Sequence, residues 1–339
     1  MSNPKKLNIG AWWKKLNVKY SLGLPLVLLI VTTLLSFLFQ PNIFRPNVLS
    51  RLLTSNFRTW LPVLLVTIGQ AIVLIGGGLD LSNGSIASVG NVILALTVVS
   101  ADETGKNVVM VLAVIVFGIL AGFINGVLTA YLGLQPVIVT FATSYIYSGL
   151  ALLMLPTPGG AIPRVYTDVY RNTSLLGIPI SLIIIGIIVL IWSIFRNRKY
   201  GRFLYAVGGD ANAAYTTGVP VTWMKVSTYV ISGLLAAFAA IFYSLLTGSG
   251  FSDSGGDMTL SSVTGAVLGG VAMRGGIGSV IGAVFGGIVL GNIRNIISSA
   301  RINSWARTLV NALIILIALA GPGLLNLFRR KKFNERNKS

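Results

Sequence analysis

Among its 339 residues the chain has no histidine, no cysteine and only 8 acids. The first absence excludes Ser-His-Asp and Cys-His catalysis, histidine-ligated metals and histidine proton relays. The second removes disulfides, thiolate metal sites and thiol nucleophiles. Charge of either sign is scarce, 10% of residues against 54% hydrophobic, which is too apolar for a soluble domain that must wet its surface. The acids are Asp80, Asp102, Glu103, Asp168, Asp210, Asp253, Asp257 and Glu335, and each falls in a loop or at the edge of an apolar run. None is expected at mid-membrane depth, where pumps and proton-coupled carriers keep an ionisable group. A phosphate-binding loop is missing too: Glu103-Thr104-Gly105-Lys106 is followed by Asn107 and lacks the first glycine of GxxxxGK(S/T). No catalytic residue, metal ligand or cofactor site is expected, so energy for active transport has to come from another chain.

What the sequence does have is long intervals without charge. Nothing charged lies between Lys106 and Arg164, Lys225 and Asp253, or Arg307 and Arg329, and five further gaps resemble these. Most reach the ~20 residues that a helix needs to cross ~30 Å of hydrocarbon. Gly133-Leu134-Gln135-Pro136 divides the longest gap in two. The pattern predicts an all-α polytopic membrane protein with ten hydrophobic segments, centred near residues 30, 69, 92, 119, 146, 186, 237, 266, 285 and 318. The eighth, Met258 to Met273, is short and Gly-rich, and reads either as a tilted span or as a broken, partly re-entrant one. A basic segment, 1–20, precedes a single membrane domain, 21–328, and a basic tail, 329–339, follows it. The first apolar run is span-length with no cleavage pattern after it, so it is not expected to be a removable signal.

Lysine and arginine set an orientation. With the N-terminus in the cytosol, 17 of the 26 basic residues fall on the inner side, which favours cytosolic termini. The net charge of +18 sits at membrane borders, suiting anionic lipid and not nucleic acid. The same topology puts the loop 196–225 in the cytosol.

In that loop Asp210 is a good N-cap, Ala211 to Tyr215 favour helix, Gly218 suits a left-handed stop and Pro220 prevents continuation. The expected helix of about two turns is too short to be stable alone in water. It therefore needs a docking partner. Gly208, Gly209, Asp210, Asn212, Ala213, Ala214, Tyr215 and Gly218 are the candidate coupling residues, small side chains admitting a partner surface and Tyr215 anchoring it.

Glycine and amide residues mark the interior. Gly118, Gly122 and Gly126, and Gly278, Gly282 and Gly286, recur every four residues and predict close helix packing. Two glycine-rich turns, Gly76 to Ser85 and Gly269 to Ser279, share a Gly pair followed by Gly-Ser, which suggests an internal repeat. Gln70, Asn91, Asn125, Asn292 and Asn295, with Thr140, Thr143 and Tyr145, are candidates for lining a path for a neutral, hydroxyl-bearing solute. Each also suits the role of interhelical glue. The segments Pro156 to Gly177 and Gly248 to Asp257 read as outward loops that could meet a delivering protein.

GGGLDLSNGS, the run from Leu134 to Leu153, GGDANAAYTTGV and LGG followed by GGIGSVIGAVFGG occur in order over roughly residues 60 to 325. Together they resemble the permease subunits of bacterial ABC importers of the ribose/xylose/galactose type. The resemblance implies a ten-helix fold in the inner membrane, a second permease subunit (a homodimer or a paralogue), a cytosolic ATPase that binds ATP and Mg, and an extracytoplasmic binding protein delivering a sugar. The chain departs from the family at Asp210-Ala211, where Asn-Pro is common, and at Val271 to Arg274, where Thr-Ser-Leu-Ser is common. A stand-alone facilitator of a neutral solute is the alternative, but it leaves the central loop without a task. An intramembrane enzyme is a third reading, which the missing His, Cys and paired acids disfavour.

Overall fold

The computed structural model describes residues 22–39, 48–175 and 177–300, with scattered positions between 306 and 316. Six helices are long and apolar enough to cross a membrane: α2 (Val48–Ile75), α4 (Thr104–Ala130), α5 (Pro136–Met154), α7 (Ile180–Asn197), α10 (Val221–Thr247) and α12 (Val280–Ser299). Between them lie the shorter α1 (Gly23–Phe39), α3 (Asn83–Thr97), α6 (Arg164–Asn172), α8 (Lys199–Gly209), α9 (Ala211–Thr216) and α11 (Gly256–Leu268). A two-residue antiparallel pair, β1 (Ser174–Leu175) and β2 (Ile178–Pro179), precedes α7. Ten full crossings are therefore not what the described residues hold. The tenth expected segment, centred near residue 318, lies outside them.

α2 is the axis of the bundle. From Leu61 to Ile75 every residue but Val63 is buried, an all-round apolar surface that only an enclosed helix tolerates. α10 packs along it and along α4, where small residues remove the side chains that would hold backbones apart. A Cβ on Gly122 would collide with the Tyr229 carbonyl, and Gly118 and Gly233 face each other's carbonyls; Gly126 faces Val226 in the same row. The predicted glycine stripe is thus the α4–α10 seam. Gly282 and Gly286 do the same for α12 against Gly269 and Gly265 of α11. Gly278 does not belong to that stripe: it lies before α12 in a turn, at φ +124°, against Val271.

The two short helices α3 and α11 explain the missing crossings. At 15 and 13 residues they span roughly 22 and 20 Å, too little for a ~30 Å core. After α2 ends at Ile75, residues 76–82 turn back along α10, and α3 begins only at Asn83. After α10 ends at Thr247, capped by Gly248, residues 249–255 run back alongside α3, and α11 begins only at Gly256. The two helices start side by side, Gly84 packed on Gly255 so closely that a Cβ on either would strike the other's carbonyl. They then run apart, α3 toward the end of the bundle that carries α6 and α11 toward the end that carries α9. Each is a half-length helix preceded by irregular backbone that is tied to a neighbouring helix, through Asp80 to Ser232 in one case and through Phe251 and Gly255 to Asn91 and Ser88 in the other. The segment Gly248 to Asp257, expected as an outward loop, folds back along α3 and leaves Ser249, Phe251 and Asp253 exposed.

Candidate functional site

At the α9 end the chain builds a junction of three glycine segments. Tight approach of Gly208, at the close of α8, leaves no room for a side chain, since a Cβ there would fall on the Ile75 carbonyl oxygen. Gly276 donates its N–H to that same carbonyl at 2.9 Å, and its own missing side chain admits Gly209. Gly275, at φ +87°, fits against Gly77 and the Gly208 carbonyl. Both glycine-rich turns therefore meet the end of α8, which joins α9 through Asp210 alone. Tyr205 of α8 closes the junction by donating its hydroxyl to the Gly278 carbonyl at 2.8 Å. Burial pushes its phenol up while Arg196, 5.6 Å over the ring, draws it back, so Tyr205 stays a neutral donor.

α9 forms as its residues dictate. The Asp210 carboxylate accepts from the backbone N–H groups of Asn212 and Ala213 at 2.9 and 3.0 Å. Gly218 ends the turn at φ +81°, donating to the Tyr215 carbonyl. The helix is six residues long. Asn212, Ala213 and Tyr215 face outward, with Gly209, Asp210 and Gly218, whereas Ala214 is buried against the chain's own body. Ala214 therefore packs α9 down instead of receiving a partner.

A second concentration of polar groups lies where the half-spans begin. Asp80 is fully buried. Ser232, its partner on α10, is eleven residues from the start of that helix, a depth of roughly 17 Å in a 40 Å span. An ionisable group does sit at membrane depth, contrary to the sequence expectation, because the chain after Gly78 folds inward where a surface turn was anticipated. One Asp80 carboxylate oxygen accepts from the Ser82 N–H and hydroxyl at 2.9 and 2.7 Å, and the other from the Ser232 hydroxyl at 2.7 Å. Asn125 donates to the Ser82 oxygen at 2.7 Å and accepts from Thr143 at 2.8 Å. Thr140 donates to the Leu79 carbonyl at 3.2 Å.

Other predicted polar residues hold the returning backbone in place. Asn91 donates to Ser244 and to the Ser249 carbonyl, and accepts from the Phe251 N–H at 2.8 Å. Ser88 receives the Gly255 N–H at 2.9 Å, and Thr259 the Gly84 N–H at 3.2 Å. Gln70 accepts from Asn83 at 3.0 Å, leaving the Gln70 amide nitrogen and the Asn83 amide oxygen buried without partners. Asn292 is tied to Thr32 and Thr33 of α1, and Asn295 lies half-buried nearly a turn along α12. Tyr145 is 66% exposed, on a face that also carries the bonded pair Ser85–Ser148 at 2.9 Å.

The residues brought together are thus Gln70, Asn125, Thr140 and Thr143, near Asp80; Asn91, Asn292, Asn295 and Tyr145 stand apart. Asp80, Ser82, Asn83 and Ser232 were missed. The Leu-Asp-Leu-Ser-Asn string was the available signal, since an acid two residues before a serine invites the local turn that Asp80 makes with Ser82. Beside the turn that follows α2 lies a cavity of about 330 Å³, bordered by Gly76, Gly78, Thr129, Gln135, Lys225 and Tyr229.

A bundle of six helices long and apolar enough to cross a membrane, with two shorter helices between them, is the architecture of a polytopic membrane protein. Comparison with known proteins agrees. Residues 53–319 match the family described as branched-chain amino acid transport system / permease component, and the chain belongs to that family. It is the permease component of an ABC-type importer. The chain is 30% identical over 306 residues to the autoinducer 2 import system permease protein LsrD of Photorhabdus temperata, covering 88% of this chain and 90% of that protein. It is 29% identical over 312 residues to the protein of the same name from Salmonella typhi, covering 89% and 91%. No solved structure matches.

Proposed function

We propose that this chain passes a small, neutral, hydroxyl-bearing solute, a monosaccharide or a similar compound, through the bacterial inner membrane. In this reading the α9 end faces the cytosol and both termini lie there, as the distribution of Lys and Arg favours. α9 seats in a groove of a cytosolic ATPase that carries ATP and Mg. A second permease subunit completes the membrane part, and an extracytoplasmic protein delivers solute at the α6 end. The relatives' label, autoinducer 2 import, and the resemblance to sugar permeases support an uncharged polar cargo over the branched-chain amino acids of the family description.

The observation that carries this reading is the wedge at Gly208. A push on α9 reaches Ile75 and Gly276 through backbone contact, with no flexible side chain between. Ile75 closes α2 just before the irregular residues 76–82, and Gly276 lies in the turn that joins α11 to α12. A tilt of α9 therefore bears on both half-spans at once, which is what alternating access driven from one end requires. The test is a bulky residue on the outward face of α9. Ala213→Trp should lower solute-stimulated ATP hydrolysis of the assembled importer by about tenfold or more, as expected for blocking the centre of a small interface. Unchanged stimulation with normal assembly would refute the docking role.

A further inference from the structure

The cavity beside the turn that follows α2, at about 330 Å³, falls in the ~300–1,000 Å³ range of small-ligand sites. Lys225, Thr228 and Tyr229 all border it, and their spacing of three and four residues puts them on one face of α10. The remaining walls are the glycine turn 76–78, the end of α4 at Thr129 and Ala130, and the turn Gly133 to Pro136 that leads into α5. The hydroxyls are already committed: Thr129 donates to the Asn125 carbonyl at 2.8 Å, Thr228 to the Lys225 carbonyl at 2.7 Å and Tyr229 to the Leu79 carbonyl at 3.5 Å. Lys225, half-buried, and Gln135 are not, since among the described residues neither side chain has a hydrogen-bond or ion-pair partner. No acid lines the cavity. Asp80 follows Leu79 in the chain, but both of its oxygens are engaged by Ser82 and Ser232.

A cation and an amide donor that converge without an acceptor leave the cavity complementary to an anion with several oxygens. The rim narrows the choice. Next to Gln135, between two helices long enough to cross a membrane, Tyr131, Leu132 and Leu134 are 79, 60 and 48% exposed. Basic and aromatic side chains together at the end of a membrane-crossing helix suit the headgroup layer, where the anionic group is phosphate. We infer that this cavity is a phosphate-binding site, with Lys225 as its charge and Gln135 as its second donor. A phosphate presents oxygens to both at once. Anionic phospholipid and a soluble phosphate compound offer that same group, and the apolar rim favours the lipid. Occupancy also bears on the coupling junction, because Gly76 packs on Thr228 and on Leu204 of α8, and Gly77 faces Gly208. A phosphate held by Lys225 braces the glycine turn against which α8 is seated.

The cysteine-free chain allows a direct test on the full-length protein. Ala130→Cys places a thiol in the cavity wall, and Ala161→Cys, exposed just before α6, is the control. Each is reacted with an uncharged, water-soluble maleimide in neutral detergent, with and without millimolar inorganic phosphate, and in phosphatidylcholine discs with and without phosphatidylglycerol. Labelling at 130 should slow about fivefold or more with phosphate or with phosphatidylglycerol, while labelling at 161 stays unchanged. Slowing by phosphatidylglycerol alone assigns the site to lipid and slowing by inorganic phosphate to a soluble compound, and either result supports a phosphate site. Adding Lys225→Gln should weaken the protection about tenfold, the effect of one charge-assisted hydrogen bond, and Lys225→Arg should keep it. Equal rates at 130 under every condition, or protection that survives Lys225→Gln, would overturn the inference.

Discussion

At the scale of single residues, Asp80 departs furthest from what its type implies. A carboxylate with no ion-pair partner among the described residues is costly in an apolar bundle, and here three donors offset that cost: the Ser82 N–H, the Ser82 hydroxyl and the Ser232 hydroxyl. It also stands three residues before the start of α3, where the helix N-terminus favours negative charge. Removing it leaves those donors buried and unpaired. Asp80→Ala should destabilise the protein by roughly 3–5 kcal/mol, whereas Asp80→Asn keeps the shape and one acceptor and should cost about half of that. Thermal unfolding of the purified protein distinguishes them, and equal midpoints for Asp80→Ala and the parent would refute the assignment. Tyr205→Phe removes one neutral hydrogen bond to Gly278, worth about 1 kcal/mol. That loss is small for stability, so a larger loss of coupled ATP hydrolysis than of thermal stability would mark Tyr205 as part of the junction.

At the scale of elements, glycines with the same sequence appearance differ in consequence. Gly122 in α4 and Gly186 in α7 both sit inside long apolar helices, yet a Cβ at Gly122 meets the Tyr229 backbone and one at Gly186 meets nothing within 4 Å. Gly122→Val should lower the melting midpoint by several degrees through overpacking, on the order of 1–3 kcal/mol, and Gly186→Val should leave it near the parent value. The spacing Gly118-Gly122-Gly126 did announce this seam, because a four-residue repeat on a helix makes one face regardless of which partner fills it. The limits of α9 were legible for the same kind of reason: Asp210, Gly218 and Pro220 act through local backbone chemistry. The half-spans were not. Composition marks Met258 to Met273 as short and Gly-rich but makes Ile86 to Thr97 look like an ordinary apolar run, and what shortens them is backbone held in the bundle by Asn91, Ser88 and Asp80. Those contacts join residues about 150 or more positions apart, Asn91 with Phe251 and Asp80 with Ser232 among them. No local pattern records them. The eighth segment, left open between tilted and broken, forms one 13-residue helix, Gly256–Leu268, that gives way to a turn at Gly269.

At the scale of the whole molecule, the proposed coupling role assigns gripping and transmitting to different residues. α9 presents Asn212, Ala213 and Tyr215 outward, while its cap and stop are built from its own residues, so its surface does not depend on how α8 is seated. The seating depends on Gly208, whose contacts with Ile75 and Gly276 join α8 to both glycine-rich turns. These functions should fail independently. Gly208→Ala places a methyl group where the Ile75 carbonyl oxygen lies, and because that atom is backbone the junction must open to admit it. Overpacking of this kind costs on the order of 1–3 kcal/mol, which a bundle of this size survives, so the subunit should still fold and still bind its ATPase through an intact α9. Motion of the ATPase would then displace α8 without moving the two turns. The expected result is normal co-purification and retained ATP hydrolysis, with solute uptake reduced about tenfold or more. Ala213→Trp, blocking the grip, should instead reduce hydrolysis and uptake together. If Gly208→Ala impairs co-purification and uptake equally, as the α9 variant would, the wedge at Gly208 is only a packing contact and the stroke travels by another route.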